Sequence, residues 1–446
     1  MAIECESGER IYTRRRWGAM MPLLVAILAG SLAVSMVNTA LPRIVADLGV
    51  GQAARASIVH VYPLALAVSI VVAARAGDRF GRKAMLLNGL GGYAVMNVVA
   101  AVSPNPLVLI GARALLGIGG ALIVANVVST IAVLYRGRAR TVANGLWVAT
   151  FGVANAVGPG LGGVLTQRVG WQAIFLVCVP IAAVGFGLTL WLVPETRESR
   201  SESWDLASVL TSAVALGAIV FGVQRTTTQA IAGIAITGVG VVLLVGFVRK
   251  QRRMPHPLVA VDLFARPGFG VAFVQLLVSA GASAASIYLV SVHLQDSVGM
   301  SPASVGVTLI SQAAAIAVGG GVAPILSRVL SRGRTTALSL MAQAAGLGIV
   351  ASLNYYVLGL ALIGLGFGIV GTLCAAMLFD ATPTSQLSHV GALQEIAFAV
   401  GSGVGVAVLG AVASAFGNSG FVWAVAVASG VVFTAALLPV RSDLPG

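Results

Sequence analysis

The chain alternates long apolar runs with short polar punctuation. A helix needs about 20 apolar residues to cross a hydrocarbon core of roughly 30 Å. Fourteen runs bounded by charge, Pro or Asn meet that demand: 18–41, 57–76, 84–103, 106–134, 141–167, 170–193, 204–224, 230–249, 267–293, 301–326, 335–353, 356–378, 388–414 and 419–440. The fourth and fifth are long enough to tilt or to project beyond the bilayer. The first run follows Arg14, Arg15 and Arg16. Its apolar stretch exceeds the core of about 7–15 residues of a secretory signal, so it is read as a retained span behind a cytosolic basic tail.

Composition agrees with that pattern. Of 446 residues 58% are hydrophobic and 9% charged, against about 25% charged in soluble domains. A soluble enzyme, a disulfide scaffold and a disordered protein are thereby excluded, leaving an all-α polytopic membrane protein. The net charge of +13 arrives in short bursts between apolar runs, unlike the single basic face of a nucleic-acid binder. With the N-terminus inside, alternate loops hold 21 Lys and Arg on the cytoplasmic side and 4 (Arg43, Arg55, Arg168, Arg225) on the other. By the positive-inside rule both termini are cytoplasmic, which requires an even number of spans. Trp17, Trp171, Trp191, Trp204 and Trp423 fall near span ends, where indole rings favour the interface. The three cysteines, Cys5, Cys178 and Cys374, are far apart in sequence, and no metal spacing or cofactor motif accompanies them. No phosphate-binding Gly-Lys-Ser or Gly-Lys-Thr loop occurs, which disfavours an ATP-driven pump. The expectation is a monomeric, non-enzymatic protein of a bacterial cytoplasmic (inner) membrane, without cofactor.

The two longest loops, about 194–203 and 250–266, flank the seventh and eighth runs. This divides the chain into a six-helix bundle over 1–193, an inserted helix pair with its linkers over 194–266, and a second six-helix bundle over 267–446. The loop Gly77-Asp78-Arg79-Phe80-Gly81-Arg82-Lys83 has a degenerate echo, Ser327-Arg328-Val329-Leu330-Ser331-Arg332-Gly333-Arg334, at the equivalent place in the second half. Parallel repeats of this kind typify one large group of secondary transporters.

Four stretches carry chemistry. In the 77–83 loop, an acid with spaced bases can bridge helix ends, the carboxylate favouring N-termini and the bases C-termini. The fifth run contains Gly152-Val153-Ala154-Asn155-Ala156-Val157-Gly158-Pro159-Gly160-Leu161-Gly162-Gly163. Small residues there allow helices to pack at backbone distance, and the proline bends the helix. Arg113, about seven residues into the fourth run, is an intramembrane cation that insertion scales charge at about 2.5–3.5 kcal/mol and that therefore needs a cavity or a partner. The first run contains Leu32-Ala33-Val34-Ser35-Met36-Val37-Asn38-Thr39-Ala40-Leu41-Pro42.

Together these stretches resemble the fourteen-helix drug:proton antiporter branch of the major facilitator superfamily. The resemblance covers essentially the whole chain. It implies two six-helix bundles plus two inserted central helices. It also implies a gating role for Asp78, Arg79, Gly81, Arg82 and Lys83 and for Gly152, Gly158, Pro159, Gly162 and Gly163, and a part for Arg113 in proton coupling. Two acids usual in the family are replaced here by Ala33 and Ala399. Glu395 matches an acidic position of quaternary-ammonium exporters in that branch.

Proton-coupled export needs a group that changes charge, and few are available. Burial disfavours the charged form of a carboxylate, which suits Glu395 to loading and releasing a proton; a structural role is the alternative. His60 and His293 lie near the outer boundary, and imidazole titrates in the useful range. By depth, Arg113 and Glu395 belong to opposite halves of the core. Asp380 and His389 are read as solvated residues of a cytoplasmic loop. A cavity for amphipathic molecules wants aromatic, Met and amide groups on an apolar wall. Met36, Asn38, Tyr62, Asn126 and Trp147 can supply them from the first half. From there on the candidates are Asn155, Tyr288, Gln312, Gln394 and Phe398.

These readings converge on a proton-coupled exporter of amphipathic drugs or metabolites working by alternating access, with weak preference for multivalent cations. A flippase for lipids or lipid-linked metabolites shares the expected fold. A non-transporting membrane sensor is the remaining alternative.

Overall fold

The computed structural model describes residues 17–49, 52–196, 205–225, 229–254, 261–266, 268–300, 302–352, 355–382 and 387–439. Among them the expected runs are all helical: α1 (Met20–Asp47), α2 (Gln52–Phe80), α3 (Arg82–Ala101), α4 (Pro106–Leu134), α5 (Gly137–Arg168), α6 (Cys178–Leu192), α7 (Leu206–Arg225), α8 (Ala230–Gln251), α9 (Phe269–Asp296), α10 (Pro302–Val329), α11 (Arg332–Ser352), α12 (Tyr356–Asp380), α13 (Leu387–Ala415) and α14 (Gly420–Ala436). With no competing water in a bilayer, a spanning segment must satisfy its own backbone, and helices do so internally.

Among the described residues twelve helices are long and apolar enough to cross a membrane, where fourteen were expected. The two that fall short are α7, whose apolar stretch among the described residues is only Leu210–Ile219, and α14, Gly420–Ala436. Polar residues intrude at both ends of α7, Ser208, Thr211 and Ser212 at one and Gln224 with Arg225 at the other. The last helix stops before Pro439, which disfavours helix at the residue preceding it. At the other end of the chain α1 runs through Pro42 to Asp47 and does not stop at 41.

Local signals explain the sharper boundaries. Asn105 caps α4, accepting a hydrogen bond from Val108 N at 3.0 Å, with Pro106 in the first turn; such caps satisfy otherwise orphaned amides. Gly81 alone separates α2 from α3, with φ of 103°, a conformation that a Cβ makes costly.

The chain divides into two compact units: residues 1–136 with 161–202, and 137–160 with 203–446. In the first unit α2 and α3 both pack on α4, and α6 on α3 and α1. In the second, α10 and α11 pack on α12, α14 packs on α11, and α9 on α13. The pairs α2·α4, α3·α4 and α3·α6 thus recur as α10·α12, α11·α12 and α11·α14, an offset of eight helices matching the repeated loop.

Along α9 runs a buried polar stripe of Gln275, Ser279, Ser283 and Ser286. Gln275 Nε2 donates to Ala435 O on α14 at 3.1 Å. Ser279 Oγ donates to Gln343 Oε1 on α11 at 2.7 Å, and Gln343 returns a bond to Ser279 O at 3.0 Å. Gln312 on α10 donates to Ser283 O and Oγ at 3.0 and 2.9 Å and accepts from Ser286 Oγ at 3.2 Å.

The inserted α7 and α8 form a hairpin clamped near one end. Lys250 Nζ lies 2.6 Å from Asp205 Oδ2, Ser208 Oγ donates to the same carboxylate, and Gln251 Nε2 donates to Ser208 Oγ at 2.9 Å. The Lys250 hydrogen bond, followed by that of Ser208, pulls the Asp205 carboxyl down to about 2 from an ordinary value of about 3.9. A carboxyl depressed in the folded state stabilises above its unfolded value and loses that contribution as pH falls through the folded one. Thermal stability of the purified protein is therefore expected to carry a component that disappears between about pH 4 and pH 2, and Asp205→Asn should remove that component. Identical acid profiles for the two proteins would refute the clamp.

Candidate functional site

Within the second unit an acid and an aromatic group come together. Phe398 of α13 stacks obliquely on Trp147 of α5, ring centroids 5.7 Å apart, and meets Phe367 of α12 edge to face at 5.8 Å. Glu395 and Gln394 stand one turn before Phe398 on α13, and side chains three or four apart on a helix share a face. Glu395 Oε1, Gln394 Oε1 and Trp147 Nε1 are all buried without a hydrogen-bond partner among the described residues. An unmet buried polar atom is costly. Three of them around an aromatic cluster make this the part of the unit best suited to a ligand that brings both apolar surface and polar atoms.

In the first unit Arg113 is 1% exposed. Its Nε donates to Ile58 O at 2.6 Å and its Nη2 to Val59 O at 3.4 Å, while the guanidinium lies 5.4 Å from the Tyr62 ring centroid. The reason lies in the sequence of α2: Pro63 has no N–H, so the carbonyl four residues earlier, that of Val59, has no donor in its own helix. Arg113 supplies it. This arrangement answers how an intramembrane cation is held with no acid beside it among these contacts. Arg113→Leu is expected to cost about 1–3 kcal/mol by leaving the Val59 carbonyl unpaired. Adding Pro63→Ala restores a donor within α2 and should recover part of the loss. Strict additivity in a double-mutant denaturation cycle would contradict the pairing.

The glycine-rich stretch of α5 divides by contact. A Cβ on Gly152 would lie 2.6 Å from Ala317 N and 2.9 Å from Ala313 O of α10. Two turns earlier Gly145 faces Gly320 of α10, where a Cβ would meet Gly145 O at 2.8 Å and Ala149 N at 2.9 Å. The two backbones therefore touch along Gly145, Ala149 and Gly152. Beyond Pro159, which lies inside the helix, Gly162 packs against Met36 of α1, a Cβ there reaching the Met36 backbone at 3.0 Å. Gly163 has open space around it. Gly158 is a buried helical position of α5.

Charged groups gather at loop ends in both units. Arg82 Nη2 bonds Asp78 Oδ1 at 2.8 Å, both side chains buried. Lys83 Nζ donates to Leu190 O at 2.8 Å, and Arg82 N to Thr196 O at 3.2 Å, so the 77–83 stretch, expected as a loop but formed by the end of α2, Gly81 and the start of α3, docks on the end of α6. Arg79 lies over the Phe80 ring at 5.4 Å. In the second unit Asp380 is exposed, as expected, but it is not in a loop: it ends α12 and pairs with Arg332 and, at 3.4 Å, with Arg140. A carboxylate at a helix C-terminus opposes the helix dipole, and the two guanidinium groups offset that.

The remaining candidates disperse. Asn126 is fully buried, donating to Leu122 O at 2.7 Å and Ala73 O at 3.4 Å and abutting Gly77 of the motif loop. Gln312 belongs to the α9 stripe. Tyr62 is buried beside Arg113, and Tyr288 is exposed. Asn155 donates to Phe151 O of its own helix at 2.8 Å. His293 stacks on Phe421 at 4.0 Å. The side chains of Asn38, His60 and His389 lie outside the described residues; the backbone places His389 in the first turn of α13. Not anticipated from sequence were Pro63, signalled by its place four residues after Val59; Gly145 and Ala149, which extend the contact of the expected Gly152 and are signalled by their spacing from it; and Phe367.

Comparison with known proteins gives the family. The chain is 30% identical over 427 residues, 93% of its length and 85% of the relative's, to the multidrug efflux pump LfrA of Mycolicibacterium smegmatis. It is 28% identical over 412 residues, 89% of its length and 76% of the relative's, to the tetracenomycin C resistance and export protein of Streptomyces glaucescens. The crystal structure of the human organic anion transporter MFSD10 (TETRAN) shares the fold with a TM-score of 0.72 at 16% identity, over 95% of this chain and 99% of that one. The sequence profile of the Major Facilitator Superfamily matches residues 23–268 and 271–445. The chain belongs to that superfamily and is a multi-pass membrane transporter, not an enzyme.

Proposed function

We propose that this protein exports amphipathic drugs or metabolites from the cytoplasm in exchange for protons. The observation that carries the reading is Glu395, a carboxyl within a spanning helix whose Oε1 is enclosed and partnerless, one turn from the Trp147 and Phe398 ring pair. A carboxylate in that setting is costly unless something compensates it. Either a proton or a positively polarised drug can do so, and a group that accepts one or the other exchanges them. The names of the relatives, efflux pump and resistance protein, favour export of toxic compounds.

Alternating access is the motion we assign to the fold. The Asp78–Arg82 contact and the Asp380 cluster are of the kind that forms in one conformation and breaks in another. The protein is proposed to act as a monomer in the inner membrane with both termini cytoplasmic, α7 and α14 also crossing to make fourteen spans. Labelling of a single cysteine at Gln229 by an impermeant reagent from outside the cell tests that count, and protection there would reject it.

The function is tested by dye and antibiotic efflux from cells expressing the protein, with and without a protonophore, over a panel graded in charge. Export of neutral or monovalent lipophilic compounds that collapses with the protonophore is expected. Efflux indifferent to the protonophore would overturn the coupling, and strong resistance to bivalent biguanides would overturn the assigned charge preference.

A further inference from the structure

A half-open groove of about 130 Å³ lies among α10, α11 and α12, remote in sequence from Glu395. Its walls are apolar: Leu326, Leu330, Leu338, Ala342, Leu365 and Ile369. The hydroxyls on its margin, Thr335 and Ser339, donate to carbonyls of their own helix at 3.0 and 2.8 Å, so neither presents a free proton to an occupant. Exposed apolar side chains flank it, Leu338 on one helix and Ile325 with Val329 on another, as expected where hydrocarbon is the solvent.

One end of the groove is the repeated loop. Leu330 and Thr335, which both line the groove, bracket the connection that carries Arg332 and Arg334, and Arg328 ends α10 just before it. Arg332 is engaged by Asp380. Arg328 and Arg334 are exposed, and neither makes an ion pair with a carboxylate among the described residues. An apolar slot that ends at two unneutralised arginines complements a molecule with a hydrocarbon tail and an anionic head.

We propose that this groove binds an anionic phospholipid, with the terminal part of one acyl chain along Leu326, Leu338 and Ile369 and the phosphate held by Arg328 and Arg334. At about 130 Å³ the groove admits a short segment of a chain and not a whole lipid. The rest of the tail stays in the bilayer. Positive-inside loop charge places this end at the leaflet where anionic lipids and polybasic segments meet. The lipid bridges α10, α11 and α12 beside the Asp380 cluster, on the stretch of α12 that also carries Phe367.

The test uses the full chain purified in detergent and phosphatidylglycerol carrying a diazirine on its acyl tail. After illumination, label is expected on 326–342 and 365–369, displaced by unlabelled phosphatidylglycerol but not by phosphatidylcholine of the same chains or by inorganic phosphate. Arg328→Gln with Arg334→Gln should weaken labelling there by about 30-fold, the loss of two interfacial arginines. Because both are exposed the fold is retained. Ala342→Phe, which fills the groove and spares the arginines, should also abolish label. Displacement by phosphatidylcholine, displacement by phosphate alone, label absent from these segments, or unchanged labelling in either variant overturns the proposal.

Discussion

A Glu395→Gln protein is expected to bind drug but to lose the dependence of drug affinity and export on pH. The carboxyl and the amide are nearly the same size and keep the same place beside Phe398, so the wall of the site survives. What disappears is the ability to alternate between a charged and a neutral state. Coupling free energies between two ligands of one protein run at about 1–3 kcal/mol, which corresponds to a change of about 5–150-fold in one affinity when the other ligand binds. Drug affinity of the purified protein should vary with pH over that range and be flat for the variant. In proteoliposomes the variant should equilibrate drug without accumulating it against a gradient when a pH difference is imposed. Undiminished pH-driven uptake in the variant would remove Glu395 from the coupling.

The second large effect belongs to the α5 and α10 backbones. Gly152→Leu places a side chain where Ala313 and Ala317 main-chain atoms already lie within 3.0 Å of a Cβ. Neither neighbour is a flexible side chain that can withdraw. Overpacking of this kind costs about 1–3 kcal/mol, and two helices held together by small residues lose their close approach along its whole length. The same holds for Gly320→Val, opposite Gly145 and Ala149. Gly163→Ala is the contrast: its Cβ meets nothing within 4 Å, and replacing a helical glycine by alanine stabilises by about 0.4–1 kcal/mol where the conformation allows it. A thermal-shift series should rank Gly163→Ala above wild type and both other variants well below it. Equal melting of Gly152→Leu and Gly163→Ala would show that α5 and α10 do not meet as described.

Much of this was legible in the residues because lipid imposes simple rules. Run length located the helices, and the 77–83 loop with its echo revealed the repeat that the packing pairs reproduce. What escaped was whatever depends on which residue faces which. Gln312 suggests a cavity wall by type, yet it bonds to Ser283 and Ser286; Asn126 spends its amide N–H on two main-chain carbonyls and keeps only Oδ1 unpartnered. No one-dimensional pattern distinguishes a polar group that waits for a ligand from one already bonded across a helix interface. The ion pairs of Asp380 escaped for the same reason, since its partners Arg140 and Arg332 are distant in sequence. Arg113 was recognised as needing a partner, but the partner is a pair of carbonyls, which carry no sequence letter of their own. Only Pro63 betrays them.

The stripe on α9 has a consequence for angular position. In hydrocarbon an apolar helix turns about its axis at little expense, because neighbouring faces differ only in shape. The α9 stripe reaches three different helices over twelve residues, about 16 Å of axis at 1.5 Å per step. A step of one residue rotates a helix by about 100°, and would break the contacts to α10, α11 and α14 at once. The helix is therefore keyed like a tumbler: it can shift with its neighbours as a body, but it has one permitted rotation among them.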